Sequence, residues 1–147
     1  MRLSKDLREF IGLLNAANVK YVVVGGHAVG FHGHPRFTGD VDFFIERSEE
    51  NAAKIEKVVA DFGFAGMGLT KKDFLYPDAV IQLGRPPNRI DLLTSIDGVK
   101  FEEAWQTRIE TRFGDFLAFI IAKDLLLRNK QAAGRPQDVA DVEKLLD

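Results

Sequence analysis

Tyr21-Val22-Val23-Val24-Gly25-Gly26 and, after thirteen intervening residues, Asp40-Val41-Asp42-Phe43-Phe44-Ile45 decide how this chain is read. The first segment is an apolar strand that runs into a glycine pair. The second is a strand that is apolar except for two aspartates. Residues i and i+2 of a strand project to the same face, about 7 Å apart at roughly 3.3 Å per residue. Asp40 and Asp42 therefore stand side by side on an otherwise buried element. Like charges that close are unfavourable unless a proton or a cation lies between them. A hard divalent ion that takes oxygen ligands, such as magnesium, meets that need. Taken alone, Asp-x-Asp reads more often as a turn cap followed by a solvent-facing carboxylate.

Three further features shift that balance. Val24-Gly25-Gly26-His27-Ala28-Val29 reads as a buried strand, a tight turn and the start of a short helix. Glycines there let backbone N–H groups approach an anion, and a helix N-terminus favours negative charge. No Gly-x-Gly-x-x-Gly opens the helix, so the dinucleotide fingerprint is excluded. Arg36-Phe37-Thr38-Gly39 precedes the first aspartate and offers a guanidinium fork and a hydroxyl to a phosphate. By itself Arg36 reads more readily as a solvated loop charge. Finally, Arg89-Ile90-Asp91-Leu92-Leu93 is another apolar strand with a carboxylate in its middle. It follows Ala79 to Leu83 across the turn-forming Gly84-Arg85-Pro86-Pro87-Asn88, so the pair reads as a hairpin. A buried Asp91 is costly unless paired or ligated. Beside Asp40 and Asp42 it would complete a two-metal site, with ions roughly 3.5–4 Å apart.

This pattern resembles the nucleotidyltransferase superfamily with the DNA polymerase beta-like fold. The residues that carry the likeness are Val24-Gly25-Gly26, Asp40-Val41-Asp42-Phe43 and Ile90-Asp91-Leu92. Gly25 through Gly33, Arg36-x-Thr38-x-Asp40-x-Asp42 and the tail Lys130 to Val142 are similar to small prokaryotic nucleotidyltransferase-like proteins. Some of those belong to toxin–antitoxin or phage-defence systems. The resemblance spans about residues 20–142, and all three carboxylate positions are filled. It implies transfer of a nucleoside monophosphate from an NTP to an acceptor, with release of pyrophosphate. It implies two Mg2+ ions, or Mn2+, bridged by Asp40 and Asp42. Asp91 would bind the acceptor-side ion and take the acceptor proton. Gly25, Gly26, Arg36 and Thr38 would hold phosphates, and Lys130 or Arg135 would neutralise the triphosphate. The acceptor could be a small molecule, a protein or tRNA. The other readings are a toxin-like transferase acting on tRNA and a non-catalytic antitoxin or regulatory partner. The complete aspartate trio favours an enzyme over the latter. Acceptor recognition could come from a homodimer or a partner protein.

The bulk numbers bound the rest. A length of 147 residues fits one domain, 1–147. The chain is 46% hydrophobic and 29% charged, with twelve Phe, enough for a real core. With no cysteine, disulfides and thiolate metal sites are excluded. No apolar stretch approaches the ~18 residues of a membrane span, and no signal-like apolar region follows the start. A cytoplasmic location is the expectation. Net charge is −2, which argues against broad, sequence-independent nucleic-acid binding. His27 and His32-Gly33-His34, without cysteine in a glycine-rich segment, point weakly to zinc; a structural or substrate-facing role for His27 is favoured.

The expected fold is α/β (α+β), a mixed sheet with flanking helices. Ser4 can cap a helix through Ala17 with Leu7, Phe10, Ile11 and Leu14 inward. Ser48 caps the next, which Gly63 stops. Phe64 to Pro77 reads as a loop with one short strand. Phe101 to Trp105 reads as a short helix, and Thr107–Phe113 and Phe116–Ile120 pair across Gly114-Asp115. Ala122 to Ala133 is a helix ended by Gly134. Arg135-Pro136 opens the last one, with Val139, Val142, Leu145 and Leu146 as its apolar face. Lys130, Arg135, Asp138 and Asp141 form a charge cluster there, either a solvated face or part of the cleft.

Overall fold

The computed structural model describes residues 5–34, 39–85, 89–113 and 116–147. Six strands form one mixed sheet: β1 (Tyr21–Val24), β2 (Val41–Ile45), β3 (Val80–Leu83), β4 (Ile90–Leu93), β5 (Ile109–Phe113) and β6 (Phe116–Ile120). Their order is β3-β4-β2-β1-β6-β5. The β3–β4 and β5–β6 pairs are antiparallel, as expected of the two hairpins, and β1–β2 is antiparallel as well. The β2–β4 and β1–β6 pairs are parallel, so chain segments distant in sequence meet at the centre. The helices are α1 (Lys5–Ala16), α2 (Gly25–Phe31), α3 (Glu49–Val59), α4 (Phe101–Gln106), α5 (Lys123–Ala133) and α6 (Pro136–Leu146).

Alternation along β2 separates two environments. Phe43 points to the face covered by α1, where its ring meets Phe10 at 5.6 Å and Tyr21 at 5.5 Å. Leu7, Phe10, Ile11 and Leu14 of α1 are all buried, as their helical spacing requires. Asp42 and Phe44 point to the opposite face, where Phe44 meets Phe101 of α4 at 5.1 Å. Strand β2 is thus apolar on one side and carries Asp42 beside Phe44 on the other. The Ser48 Oγ accepts the Asn51 N–H at 3.1 Å and caps α3. Gly134, at φ 65, ends α5. Ser4 and the Gly114-Asp115 turn lie outside the described residues.

Three elements differ from expectation. No separate turn follows β1: Gly25, at φ 69, is already the first residue of α2. Residues 60–77 are neither loop nor strand at first; a π turn (Ala60–Phe64) and two 3-10 turns (Ala65–Met67, Lys71–Phe74) carry the chain, pinned by buried Phe74. Gly63, at φ 112, breaks the helical path without ending the winding. Helix α6 is rotated from the expected face. It buries Asp138, Asp141 and Leu145, while Val139 and Leu146 are 52% and 66% exposed.

Among the described residues, no helix is long and apolar enough to cross a membrane.

Candidate active site

The parallel β2–β4 register sets Asp42 directly beside Asp91, and the antiparallel β1–β2 register sets Asp42 beside Val24. Asp40 immediately precedes β2. All three carboxylates line one cleft of about 630 Å³, together with Gly25, Gly26 and Lys130. The sequence-predicted residues Asp40, Asp42, Asp91, Gly25, Gly26, Lys130 and Arg135 are therefore brought together. Arg36 and Thr38 lie outside the described residues.

Gly25 is required twice over. Its φ of 69 suits glycine, and a Cβ there would land on Asp42 Oδ2. The carboxylate of Asp42 thus lies against the start of α2. Burial pushes the Asp42 carboxyl up from 3.8 to about 6, and the charges of Asp91 and Asp40 push in the same direction; Lys130 opposes them. Asp91 is itself buried.

Arg89 runs between the other two acids. Its Nε donates to Asp91 Oδ1 at 2.8 Å and its Nη2 to Asp91 Oδ2 at 3.1 Å. The same Nη2 lies 3.3 Å from Asp40 Oδ2. Among the described residues, no three His, Cys, Asp or Glu side chains surround a common point as metal ligands. Asp40 and Asp91 face a guanidinium instead.

The C-terminal cluster is a buried triad, not a solvated face. Lys130 Nζ, on a side chain only 7% exposed, lies 3.2 Å from Asp138 Oδ1 and 3.1 Å from Asp141 Oδ2. Burial pushes the Asp138 carboxyl up, yet bonds from Arg135 and Lys130 outweigh it and hold the group below its ordinary value. Asp138 also accepts the Arg135 backbone N–H at 3.2 Å, closing the first turn of α6. The Arg135 side chain remains 75% exposed at the cleft mouth while its Nε donates to Asp138 at 2.7 Å.

His27 is buried within α2, and His32 Nε2 lies 2.8 Å from the Ile121 carbonyl.

Residues 3–138 match the model of a family described as nucleotidyl transferase of unknown function (DUF2204). The chain belongs to this nucleotidyl transferase family. Its fold is similar to that of the lincosamide antibiotic adenylyltransferase LnuA in its lincomycin-bound form, at 18% identity and a TM-score of 0.60. That match covers 100% of this chain and 99% of the other. An antigenic nucleotidyltransferase-like protein from Paracoccidioides brasiliensis is similar at 19% identity and a TM-score of 0.56, covering 99% of this chain and 78% of its own. No curated protein matches the chain significantly.

Within this nucleotidyl transferase, Arg89 is the site residue that sequence reasoning passed over in favour of Arg36. The signal was present: Arg89 stands two residues before Asp91, the spacing that shares a strand face. Asn129 and Asp97 also line the cleft, joined by a bond from Asn129 Nδ2 to the Asp97 carbonyl at 2.9 Å. Neither carried a sequence signal, because their pairing joins α5 to the loop after β4.

Proposed function

We propose that the protein moves a nucleoside monophosphate from an NTP to a small acceptor, releasing pyrophosphate, with Mg2+ or Mn2+ held by Asp40, Asp42 and Asp91. The observation that carries this reading is the Asp42–Asp91 register in a cleft that Gly25, Gly26 and Lys130 also line. The donor set fits a hard divalent ion. It offers only carboxylate oxygens, and burial together with the charges of Asp91 and Asp40, which lift Asp42 to about 6, is what such an ion offsets. Bound ions would supply charge neutralisation on the triphosphate and a lowered pKa on the acceptor.

The chain's own residues do the rest. The Gly25-Gly26 backbone lines the phosphate side, where any larger residue at 25 would displace Asp42. Lys130 provides a fixed positive charge, clamped by two aspartates. Arg135 provides a more exposed one, paired with Asp138. Asp91, on a separate strand from the other two acids, takes the acceptor proton once its oxygens are released. A net charge of −2 offers no broad basic surface to a polynucleotide, which favours a small acceptor over tRNA. The same fold in an antibiotic adenylyltransferase of nearly equal extent supports that choice.

The test is incubation with each α-labelled NTP, Mg2+ and a small-molecule extract, followed by identification of the labelled product. Label transfer that requires Mg2+ and disappears in Asp42→Asn supports the reading. An absence of NTP binding by calorimetry, with or without Mg2+, sinks it.

A further inference from the structure

The site already contains a cation. Arg89 engages both oxygens of Asp91 through Nε and Nη2, at 2.8 and 3.1 Å. It engages Asp40 twice as well: the backbone N–H donates to Oδ1 at 3.3 Å and Nη2 faces Oδ2 at 3.3 Å. One residue therefore occupies the oxygens that a divalent ion would need from two of the three acids. The position is not accidental. The Arg89 carbonyl accepts the Val41 N–H at 3.0 Å, which ties the start of β4 to β2 and fixes the guanidinium over the cleft. The side chain is 25% exposed and its charged partners all lie in the cleft, so it can leave without opening the core.

We infer that Arg89 is a displaceable internal counter-cation that couples metal binding to nucleotide binding. The inference rests on the nucleotidyltransferase reading of the same site. Without a triphosphate, Arg89 holds Asp40 and Asp91 against a divalent ion. A triphosphate entering the cleft offers the guanidinium a second bidentate partner through two phosphate oxygens. The fork then turns to phosphate and the carboxylates are released to the metal. Because coupling is reciprocal, the metal favours the nucleotide by the same factor that the nucleotide favours the metal. Arg89 is in this sense a positioning residue: it decides when Asp91 is available.

The test reads Mn2+ binding by electron paramagnetic resonance, without turnover. Wild type, Arg89→Ala, Arg89→Gln and Asp42→Asn are titrated with Mn2+ alone and with Mn2+ plus inorganic tripolyphosphate, correcting for the solution complex. Removing charge-assisted bonds of this kind changes affinity about ten- to a hundredfold. Arg89→Ala and Arg89→Gln are expected to bind Mn2+ alone that much more tightly than wild type. The enhancement that tripolyphosphate gives wild type should shrink in both variants. Asp42→Asn should lose the Mn2+ signal, which locates it. Arg89→Gln keeps the side-chain length if Arg89→Ala does not fold. If both variants bind Mn2+ no more tightly than wild type, the coupling role is overturned while the nucleotidyltransferase reading stands. If no form binds Mn2+ even beside an NTP, that reading fails and the inference with it.

Discussion

Replacing Lys130 with methionine isolates the physics of the buried triad. The perturbation keeps the side-chain length and removes the charge. Asp138 and Asp141 carry side chains only 2% and 0% exposed, at 3.2 and 3.1 Å from Nζ. Taking one partner from a buried ion pair costs about 3–5 kcal/mol, because the remaining charge stays desolvated. Arg135 still pairs with Asp138, so the uncompensated charge falls mainly on Asp141 and the lower end of that range applies. For a chain of this length about 3 kcal/mol corresponds to a fall in Tm on the order of 10 °C. The assay is thermal unfolding at pH 7 with EDTA. The sign with pH follows from Asp138: its folded-state pKa lies below its unfolded one, so its contribution is present above about 4 and is lost as pH falls through the folded value. The deficit of Lys130→Met should therefore narrow in acid. In the double variant Lys130→Met/Asp141→Leu the second change removes the stranded charge, and part of the lost Tm should return. An unchanged Tm in Lys130→Met, or a double variant worse than the sum of the two single ones, refutes the reasoning.

Asp42→Asn should stabilise the metal-free protein. The folded state binds the Asp42 proton more tightly than the unfolded one, so ionisation erodes wild-type stability as pH rises from about 4 to about 6; melting curves in EDTA should show the variant's advantage, at most ~3 kcal/mol, growing over that window and flat above it. Gly25→Ala should lower stability by more than about 1 kcal/mol and abolish NTP binding in calorimetry, since its Cβ meets Asp42; retained binding argues against the close approach. Asp91→Asn should keep much of the NTP affinity but lose transfer in a single-turnover assay, and wild-type transfer would make Asp91 structural.

Much of the fold was legible because its signals are local. The spacing of Leu7, Phe10, Ile11 and Leu14, the Ser48 cap and the Gly134 stop each act within a few residues. Helix α6 was misread for a physical reason. Its apolar positions suggested one face, but Lys130 on α5 draws Asp138 and Asp141 inward, and a buried charged bond set outweighs exposed Val139 and Leu146. Gly63, at φ 112, does interrupt the helical path, but short 3-10 turns follow it in place of the expected strand, because their bonds span only three residues and leave no apolar period to read. At the site, the three aspartates and two glycines were visible as charges and turns in apolar surroundings. For Arg89 the i, i+2 relation to Asp91 is local, but its contact with Asp40 depends on the β2–β4 pairing, which no local window contains.

That pairing has a consequence for how the chain reaches its native form. A slip of β4 against β2 by one residue would rotate every side chain to the opposite face of the sheet. Leu92 would turn to the wet cleft, and Asp91 would enter the layer of Phe10, Tyr21 and Phe43. A carboxylate among those rings has no partner and costs several kcal/mol. Misaligned strands are thereby penalised by the same residue that the site needs. Asp91 acts as a proofreading mark on assembly, and a chain carrying an apolar residue there would lose its means of rejecting the wrong alignment.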